Sequence, residues 1–231
     1  MPQDLNQELW RTWLGTARSL AYESMRSRQT LENLATWNQR LSASLFCDVS
    51  HVEIAIRNLI SESLQKRALD LGQGTHWLMD SSGYFQRTGG RDFEALLGQA
   101  QQRVLRAKQE PTWDDIVAEL GLGFWLSFLG RKYLAIHPDL ASAFVGLEDR
   151  NIRRLRPLAE RFRNLRNRLA HHHRVIHRDL NRDWHDVVGI AQLIDPKLKS
   201  YLSENSNTPE LIAEFNQTIQ AECSSSSHEP G

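Results

Sequence analysis

A stretch of 40 residues without glycine or proline constrains the fold of this chain more than any other feature. Between Thr30 and Leu69 an apolar residue recurs every three or four positions, which places these side chains on one face of an α-helix. They are Leu34, Trp37, Leu41, Leu45, Val49, Val52, Ile56 and Ile60. Thr30 is a suitable N-cap. We predict one unusually long helix, and Cys47–Ser50 is where a break would fall.

The rest of the chain repeats this spacing in shorter pieces and shows no alternating strand pattern. The predicted shorter helices cover about 5–20, 93–107, 112–120, 124–129, 140–145, 157–170, 184–194 and 208–219. Pro157 suits the first turn of a helix, so Asp149–Arg156 is treated as a separate turn or a kinked lead-in. We therefore predict an all-α fold: a single multi-helix bundle domain over residues 1–221. A Gly/Ser-rich loop at about 71–91 interrupts it, and a disordered tail over 222–231 follows.

The charges of the chain balance overall but are unevenly distributed. There are 28 basic and 28 acidic residues, so no global field attracts nucleic acid. Between Arg150 and Arg182, however, eleven arginines and no lysine accompany only Glu160 and Asp179. A site for a polyanion should therefore be local to this segment.

The first residues, the two cysteines and the lengths of the apolar runs indicate where in the cell the protein is expected. The first residues have neither a basic region nor an apolar run typical of a signal peptide. No run reaches the roughly 18 apolar residues that a membrane span needs. Cys47 and Cys223 lie far apart, which favours free thiols in a reducing compartment. These features predict a cytoplasmic protein that does not contact a membrane.

The segment Arg163–Arg174 gathers four arginines and three histidines. An arginine grips phosphate oxygens two at a time, and a histidine takes and returns a proton near neutral pH. Together these groups can break an RNA strand without a metal, because one holds the phosphate and the other moves the proton of the ribose 2′-hydroxyl. Nearby arginines would repel a cation, so a metal site at His171, His172, His173 and His177 is the weaker hypothesis. No cofactor is expected.

The helical wheel sets a geometric problem for this segment. Leu158, Phe162, Leu165 and Leu169 form its buried stripe, with Arg166 at the edge of that stripe. The opposite, exposed side carries Arg163, Asn167, Ala170, His171 and Arg174. Arg166 and His171 are about 140° apart on a straight helix, which is poor geometry for sharing one phosphate. Either the helix ends or bends near Ala170, or a second subunit completes the site.

Several of these residues also have a structural interpretation. Glu53 and Arg57, with Asn58 next, could form an i,i+4 ion pair on a solvated face. Alternatively, this pair is partly buried and orients groups of the basic helix, and Arg166 forms a salt bridge with Glu53. Arg163, Arg168 and Arg174 could simply line a solvated helix face, and His171 could cap the helix or lie in an interface. The apolar run Phe124–Leu129 is either a core helix or a partner interface.

The chain strongly resembles the HEPN superfamily of all-α ribonucleases, and within it the Abi-like (abortive infection) branch. The superfamily signature is an Arg and a His separated by a short segment that begins with a polar residue, and Arg166-Asn167-Arg168-Leu169-Ala170-His171 fits it. The resemblance to the branch extends over most of the chain. It includes Trp37-Asn38, Leu41–Phe46, Val52–Asn58, Glu119-Leu120, Gly123-Phe124-Trp125 and Leu165–His172.

This resemblance implies a metal-independent endoribonuclease that acts as a homodimer, with the signature helices of two subunits meeting at a composite cleft. Arg166 and His171 would be catalytic, and the product would end in a cyclic 2′,3′-phosphate. The residues expected to support the site or bind RNA are Asn167, Arg163, His172, Arg174, Glu53, Arg57 and Asn58. His173-Arg174 stands where such proteins often carry Glu-Pro, so the downstream edge of the site departs from the family pattern.

The resemblance also implies a biological role as a toxin or phage-defence effector, with an antitoxin protein as a further expected partner. We predict a two-fold dimer through the basic helix, with the Phe124–Leu129 segment as a candidate for a further contact. The alternatives are a binding module that holds RNA without cleaving it, and a helical regulator whose arginines contact only a protein partner.

Overall fold

The computed structural model describes residues 3–25, 27, 29–73, 76–80 and 83–225. Over these residues the chain forms helices and no β-strand, so the predicted all-α single domain is confirmed. The helices are α1 (Gln3–Leu14), α2 (Thr16–Glu23), α3 (Leu31–Asp70), α4 (Tyr84–Ala107), α5 (Trp113–Glu119), α6 (Leu122–Ser127), α7 (His137–Ala143), α8 (Ile152–Ala170), α9 (Leu180–Ile194), α10 (Pro196–Asn205) and α11 (Thr208–Ser225). Short 3-10 turns lie at Trp77–Met79 and Arg131–Ile136. None of the described helices is both long and apolar enough to span a bilayer.

Helix α3 is the axis around which the other elements pack. It runs unbroken for 40 residues, including Cys47–Ser50, and the Thr30 side chain accepts a hydrogen bond from the backbone N–H of Asn33 at its start. Its apolar stripe is buried, and α1, α2, α6, α7, α8, α9 and α11 all contact it. The predicted long helix is therefore confirmed, and its stability comes from packing along its whole length.

Two boundaries near the ends of the chain differ from the prediction. A single first helix is wrong because Gly15, with a φ of 75°, separates α1 from α2. At the other end, α11 continues to Ser225, so residues 222–225 are helical where a disordered tail was predicted. The rest of that tail, 226–231, lies outside the described residues.

The predicted loop over 71–91 contains a core element. Trp77 is buried, its ring nitrogen donates to the Ser61 hydroxyl at 3.0 Å, and its ring packs edge-on against Phe85 and Trp125. The loop is shorter than predicted because α4 already begins at Tyr84 and then kinks at Gly90. This segment fixes one side of the core.

The apolar run Phe124–Leu129 belongs to the same aromatic core. Phe124, Trp125, Phe128 and Leu129 are all buried, and the ring nitrogen of Trp125 donates to the carbonyl of Leu120. The core interpretation is confirmed. Most of the apolar surface of this segment is used inside the chain, and a dimer contact through it stays a prediction.

Helix α8, which carries the basic segment, begins at Ile152 and not near Pro157. The Asn151 side chain caps it by accepting the backbone N–H of Arg153 at 3.1 Å, and Ile152 and Leu155 are buried in its first turn. Burial and capping outweigh the hydrogen bond that Pro157 cannot donate. The predicted stripe of Phe162, Leu165 and Leu169 is buried against α3 and α9, and Leu158 is half-buried beside it.

Candidate functional site

The basic helix ends in a turn formed by the three histidines. The backbone N–H of His172 donates to the carbonyl of Leu169 at 3.0 Å, and that of His173 donates to the carbonyl of Arg168 at 2.8 Å. His172 adopts the left-handed conformation with a φ of 53°. This is a Schellman motif with His171 at the C-cap. Of the two alternatives, the one in which the helix ends near Ala170 is confirmed: His171 is the C-cap, and its backbone N–H still donates to the carbonyl of Asn167 at 3.0 Å.

The three imidazoles are exposed, and the rings of His171 and His173 lie 5.9 Å apart. A substrate can therefore reach them from solvent. His172 is the residue after the C-cap of the Schellman motif, where the backbone must adopt a positive φ. His172 therefore has a structural role in the turn, in addition to the supporting role in the site that we predict for it.

Arg166 is held by a carboxylate from the central helix. Its Nε and Nη2 atoms donate to the two oxygens of Glu53 at 2.8 and 3.0 Å, and both side chains are mostly covered, with 29% and 22% of their surfaces exposed. The predicted salt bridge to Glu53 is confirmed. The i,i+4 pair of Glu53 with Arg57 is not formed, because Arg57 donates instead to the side chain of Asn58.

The bidentate pair leaves part of the Arg166 guanidinium free to bind a ligand. A guanidinium has five N–H groups, and Glu53 takes the one on Nε and one on Nη2. The N–H groups on Nη1 and the second one on Nη2 remain, and these two nitrogens form the fork that matches two phosphate oxygens. Glu53 thus fixes the direction of Arg166 without using all of its donors.

Arg166 lines a cleft of about 260 Å³ between α3, α8 and the α5–α6 junction. The other lining residues are Ser50, Glu53, Ile54, Arg57, Ala118, Glu119, Leu120, Gly121 and Trp125. Several segments that carry the family resemblance therefore converge on one cleft, although they lie far apart in sequence. The cleft combines two arginines with two carboxylates above an apolar floor.

The structure does not bring every predicted site residue to this cleft. Asn167 is exposed on α8, one turn before His171. Arg163 forms an ion pair with Glu160 and lines a separate cavity of about 290 Å³ between α6 and α8. Asn58 lines a third cavity, of about 610 Å³, on another side of α3. Within one chain, the cleft unites Arg166, Glu53 and Arg57 and leaves out the histidine turn.

Arg174 occupies a different environment from the one predicted. It is half-buried, with its guanidinium 5.9 Å from the centre of the Tyr22 ring, and its carbonyl accepts a hydrogen bond from Arg168. Burial raises the pKa of Tyr22, and the positive charge of Arg174 opposes this rise. The solvated-face prediction for Arg168 and Arg174 is wrong because the Schellman turn reverses the chain and folds Arg174 back against α2.

Asn38 positions the segment after the turn, although it is not among the site residues predicted from the sequence. Its side-chain oxygen accepts the backbone N–H groups of Val175 at 2.6 Å and Ile176 at 3.4 Å, and it is only 6% exposed. The signal was present, because Asn38 is a polar residue four positions after Leu34 and three before Leu41 in a buried stripe. A buried amide at such a position needs a partner.

Within the part of the chain that the structure describes, no three His, Cys, Asp or Glu side chains are grouped so that they could hold a metal ion. The fold and the site define an all-α protein whose arginine-rich helix ends in an exposed histidine turn beside a charged cleft. No protein-family model, no curated protein and no solved structure matches the chain.

Proposed function

We propose that this protein is a metal-independent endoribonuclease of the HEPN type, in the Abi-like branch, with Arg166 and His171 as its catalytic residues. The observation that carries the proposal is the bidentate Glu53–Arg166 pair at the mouth of the charged cleft. It supports a phosphate-binding role because it holds one edge of a permanent cation and leaves the other edge free. The exposed His171 supplies a group that can move a proton.

In the proposed reaction, His171 takes the proton of a ribose 2′-hydroxyl. The 2′-oxygen then attacks the adjacent phosphorus, and the bond from phosphorus to the 5′-oxygen of the next nucleotide breaks. Arg166 stabilises the negative charge that grows on the phosphate oxygens. The departing 5′-oxygen takes a proton from a second imidazole of the same histidine turn, in which the rings of His171 and His173 lie 5.9 Å apart. The products are a 2′,3′-cyclic phosphate and a 5′-hydroxyl.

The proposal includes a homodimer, and two observations support this. His171 is absent from the residues that line the Arg166 cleft of its own chain, and Asn167 and His171 both face solvent at the end of α8. A second copy packed against this end of α8 brings a histidine turn towards an Arg166 cleft. The resemblance adds the biological part of the proposal, a toxin or phage-defence effector in the cytoplasm that an antitoxin protein controls.

Cleavage of labelled RNA in the presence of EDTA tests the activity. We expect fragments with cyclic-phosphate ends, at least a 100-fold loss of rate for His171→Ala, and no loss for the matched variant His185→Ala. His185 is an exposed histidine on α9, so its variant controls for the loss of an imidazole. Cleavage that EDTA abolishes, or that His171→Ala leaves intact, contradicts the proposal.

A mixing experiment tests the composite site. Arg166→Gln and His171→Ala are each inactive as homodimers, but a mixed dimer contains one site with both native residues. Equal mixing should therefore restore roughly a quarter of the native activity, since half of the dimers are mixed and one of two sites is intact in each. A strict monomer by light scattering, or no restored activity after subunit exchange, contradicts the two-subunit mechanism.

Two observations favour a second candidate, an RNA-binding module without turnover. Glu53 occupies two of the donors of Arg166, and the histidine turn does not line the cleft of the same chain. In that case RNA binds and stays intact, and the affinity falls as salt rises. A protein with no RNA affinity even at low salt would instead be a helical module that contacts a protein partner.

A further inference from the structure

A second group of cations lies on the side of α8 away from the Arg166 cleft. Arg168 follows Arg166 by two positions, which is about 200° around the helix. Beyond the histidine turn, Arg174, His177 and Arg178 approach Arg168 closely enough to affect the charges of the group. We call these four residues the outer cation cluster; its three arginines carry the charge, because the lowered pKa of His177 leaves this imidazole mostly neutral at pH 7.

Only one member of the outer cation cluster is neutralised. Arg178 donates to both oxygens of the buried Asp183, at 2.6 and 2.7 Å. Arg168 and Arg174 form no ion pair with any residue that the structure describes. Two partly buried guanidinium groups therefore lie in one cluster without an ion-pair partner of their own among the described residues.

The cluster also has more hydrogen-bond donors than acceptors. The Nε atom of Arg168 and the Nη1 atom of Arg174 are both buried, and neither has an acceptor among the described residues. The one acceptor supplied to Arg168 is the backbone carbonyl of Arg174. A buried donor without a partner destabilises a fold, so this region lacks acceptor oxygens.

The ionisation of the cluster shows the same excess of positive charge. Burial lowers the pKa of His177, and the charges of Arg174, Arg168 and Arg178 lower it further, opposed only by Asp183. Burial likewise lowers the pKa of Arg168, with Arg178 and Arg174 as the next causes. An anion bound here would offset the contribution of the neighbouring positive charges to both shifts, although not that of burial.

We propose that Arg168, Arg174 and His177 form a phosphate-binding site on the outer side of the histidine turn. A phosphate group matches this site because it carries negative charge and several acceptor oxygens, which two guanidinium forks can grip together. The site is open to a ligand, since His177 is exposed and both arginines are half-buried at the surface. The phosphate can be a free ion or part of a nucleic-acid backbone.

The position of the site favours a backbone phosphate. Arg166 lies on one side of α8, the histidine turn lies at its end, and the outer cation cluster lies on the other side. A single RNA strand that passes over the turn can therefore place one phosphate in the Arg166 cleft and another at Arg168 and Arg174. This part rests on the proposed ribonuclease function, whereas phosphate binding itself does not.

The first experiment uses the wild-type protein and inorganic phosphate. The imidazole signal of His177, assigned with the variant His177→Gln, is titrated by NMR in phosphate and in sodium chloride of equal ionic strength. We expect the pKa of His177 to rise in phosphate towards the ordinary value of about 6.5, because the bound anion offsets Arg168, Arg174 and Arg178. The same pKa in both salts overturns the proposal.

Thermal unfolding gives a second readout of the same site. At ten times its Kd, phosphate should raise Tm by about 3–6 °C relative to matched chloride. The rise should disappear in Arg168→Gln and in Arg174→Gln and persist in Arg153→Gln, a matched variant at an exposed arginine at the other end of α8. An equal rise in all four proteins overturns the proposal, since it would report a general salt effect.

A 2′-O-methyl RNA oligonucleotide distinguishes the two sources of phosphate without cleavage, because it lacks the attacking hydroxyl. For a backbone phosphate, Arg174→Gln weakens oligonucleotide binding and lowers the slope of log affinity against log salt by about one. If phosphate shifts His177 but this slope is unchanged, the site takes the free ion and the phosphate site stands. The variant Arg166→Gln separates this proposal from the proposed ribonuclease function. It should lose RNA cleavage and still show the rise of the His177 pKa in phosphate. If neither phosphate nor oligonucleotide moves His177, there is no phosphate site.

Discussion

The side-chain oxygen of Asn38 accepts the backbone N–H of Val175 at 2.6 Å, which ties α3 to the chain just after the histidine turn. The same helix presents Glu53 to Arg166, four turns further along. One long helix therefore positions both the proposed phosphate-binding arginine and the segment that follows the proposed proton-transfer residue. This explains why the whole length of α3 matters to the candidate site.

Replacing Asn38 with alanine should both destabilise the protein and disturb the turn. The backbone N–H of Val175 would remain buried without an acceptor, which lowers the free energy of unfolding by about 1–3 kcal/mol. Urea denaturation measures this change. Asn164→Ala, at an exposed asparagine on α8, is the matched control and should lie within about 0.5 kcal/mol of the wild type. Equal stabilities of the two variants would show that Asn38 does not hold the turn.

Replacing Glu53 with glutamine should impair cleavage more than RNA binding. A glutamine has one acceptor oxygen and one amide donor, so it cannot accept both N–H groups of Arg166 and the guanidinium loses its fixed direction. We expect the cleavage rate to fall on the order of 10–100-fold. The oligonucleotide affinity should change less than 3-fold, because the charge of Arg166 is retained.

The control for this variant is Glu62→Gln, at an exposed glutamate of the same helix that does not line the Arg166 cleft. It changes the net charge equally and should leave cleavage unaltered. If Glu53→Gln cleaves at the native rate, Glu53 has no positioning role. If Glu53→Asp restores part of the lost rate, the effect comes from the carboxylate itself.

The sequence alone predicts what depends on local spacing. The long helix α3 and its Thr30 cap follow from the spacing of neighbouring residues, and both are present. The Glu53–Arg166 pair could be proposed from the sequence, because Arg166 lies at the edge of a buried stripe, where a charged side chain needs a partner. The bidentate geometry of this pair could not be predicted, because the two residues are 113 positions apart in sequence.

Features that depend on tertiary packing were missed. The burial of Trp77 draws a glycine-rich segment into the core, and no periodicity marks a single buried side chain. The buried Ile152 and Leu155 carry α8 past Pro157 against the local preference of proline. The outer cation cluster needs the reversal at His172, which places Arg174 beside Arg168.

Replacing His172 with glycine should stabilise the protein, because this residue occupies the left-handed position of the histidine turn. A residue other than glycine at a φ of 53° is strained, and glycine relieves this strain at some entropic expense, for a net gain of about 0.5–1 kcal/mol. His172→Val should instead destabilise by more than about 1 kcal/mol, because a β-branched side chain disfavours this conformation. His173→Gly, at the next position, should give no gain. Thermal unfolding of the three variants checks the order, and a less stable His172→Gly would contradict it.

Asp48 should make the stability of the protein depend on pH. This carboxylate is buried between α3 and the start of α11, where it accepts the hydroxyl groups of Ser206 at 2.8 Å and Thr208 at 2.6 Å. Burial raises its pKa, although both hydrogen bonds and the nearby His51 oppose the rise. The folded state therefore binds its proton more tightly than the unfolded state, in which the pKa is about 3.9.

The sign of the effect follows from proton linkage. Between the unfolded and the folded pKa of Asp48 the folded protein carries more protons, so the contribution of this group to stability falls as pH rises. Asp48→Asn removes the titration while keeping an acceptor for one hydroxyl. The free energy of unfolding of the wild type minus that of Asp48→Asn should therefore decrease from pH 4 to pH 7, measured by urea denaturation. Ser206→Ala removes one hydrogen bond to the charged carboxylate and should make this decrease larger. A difference that stays constant or grows with pH would show that burial does not raise the pKa of Asp48 in the folded protein.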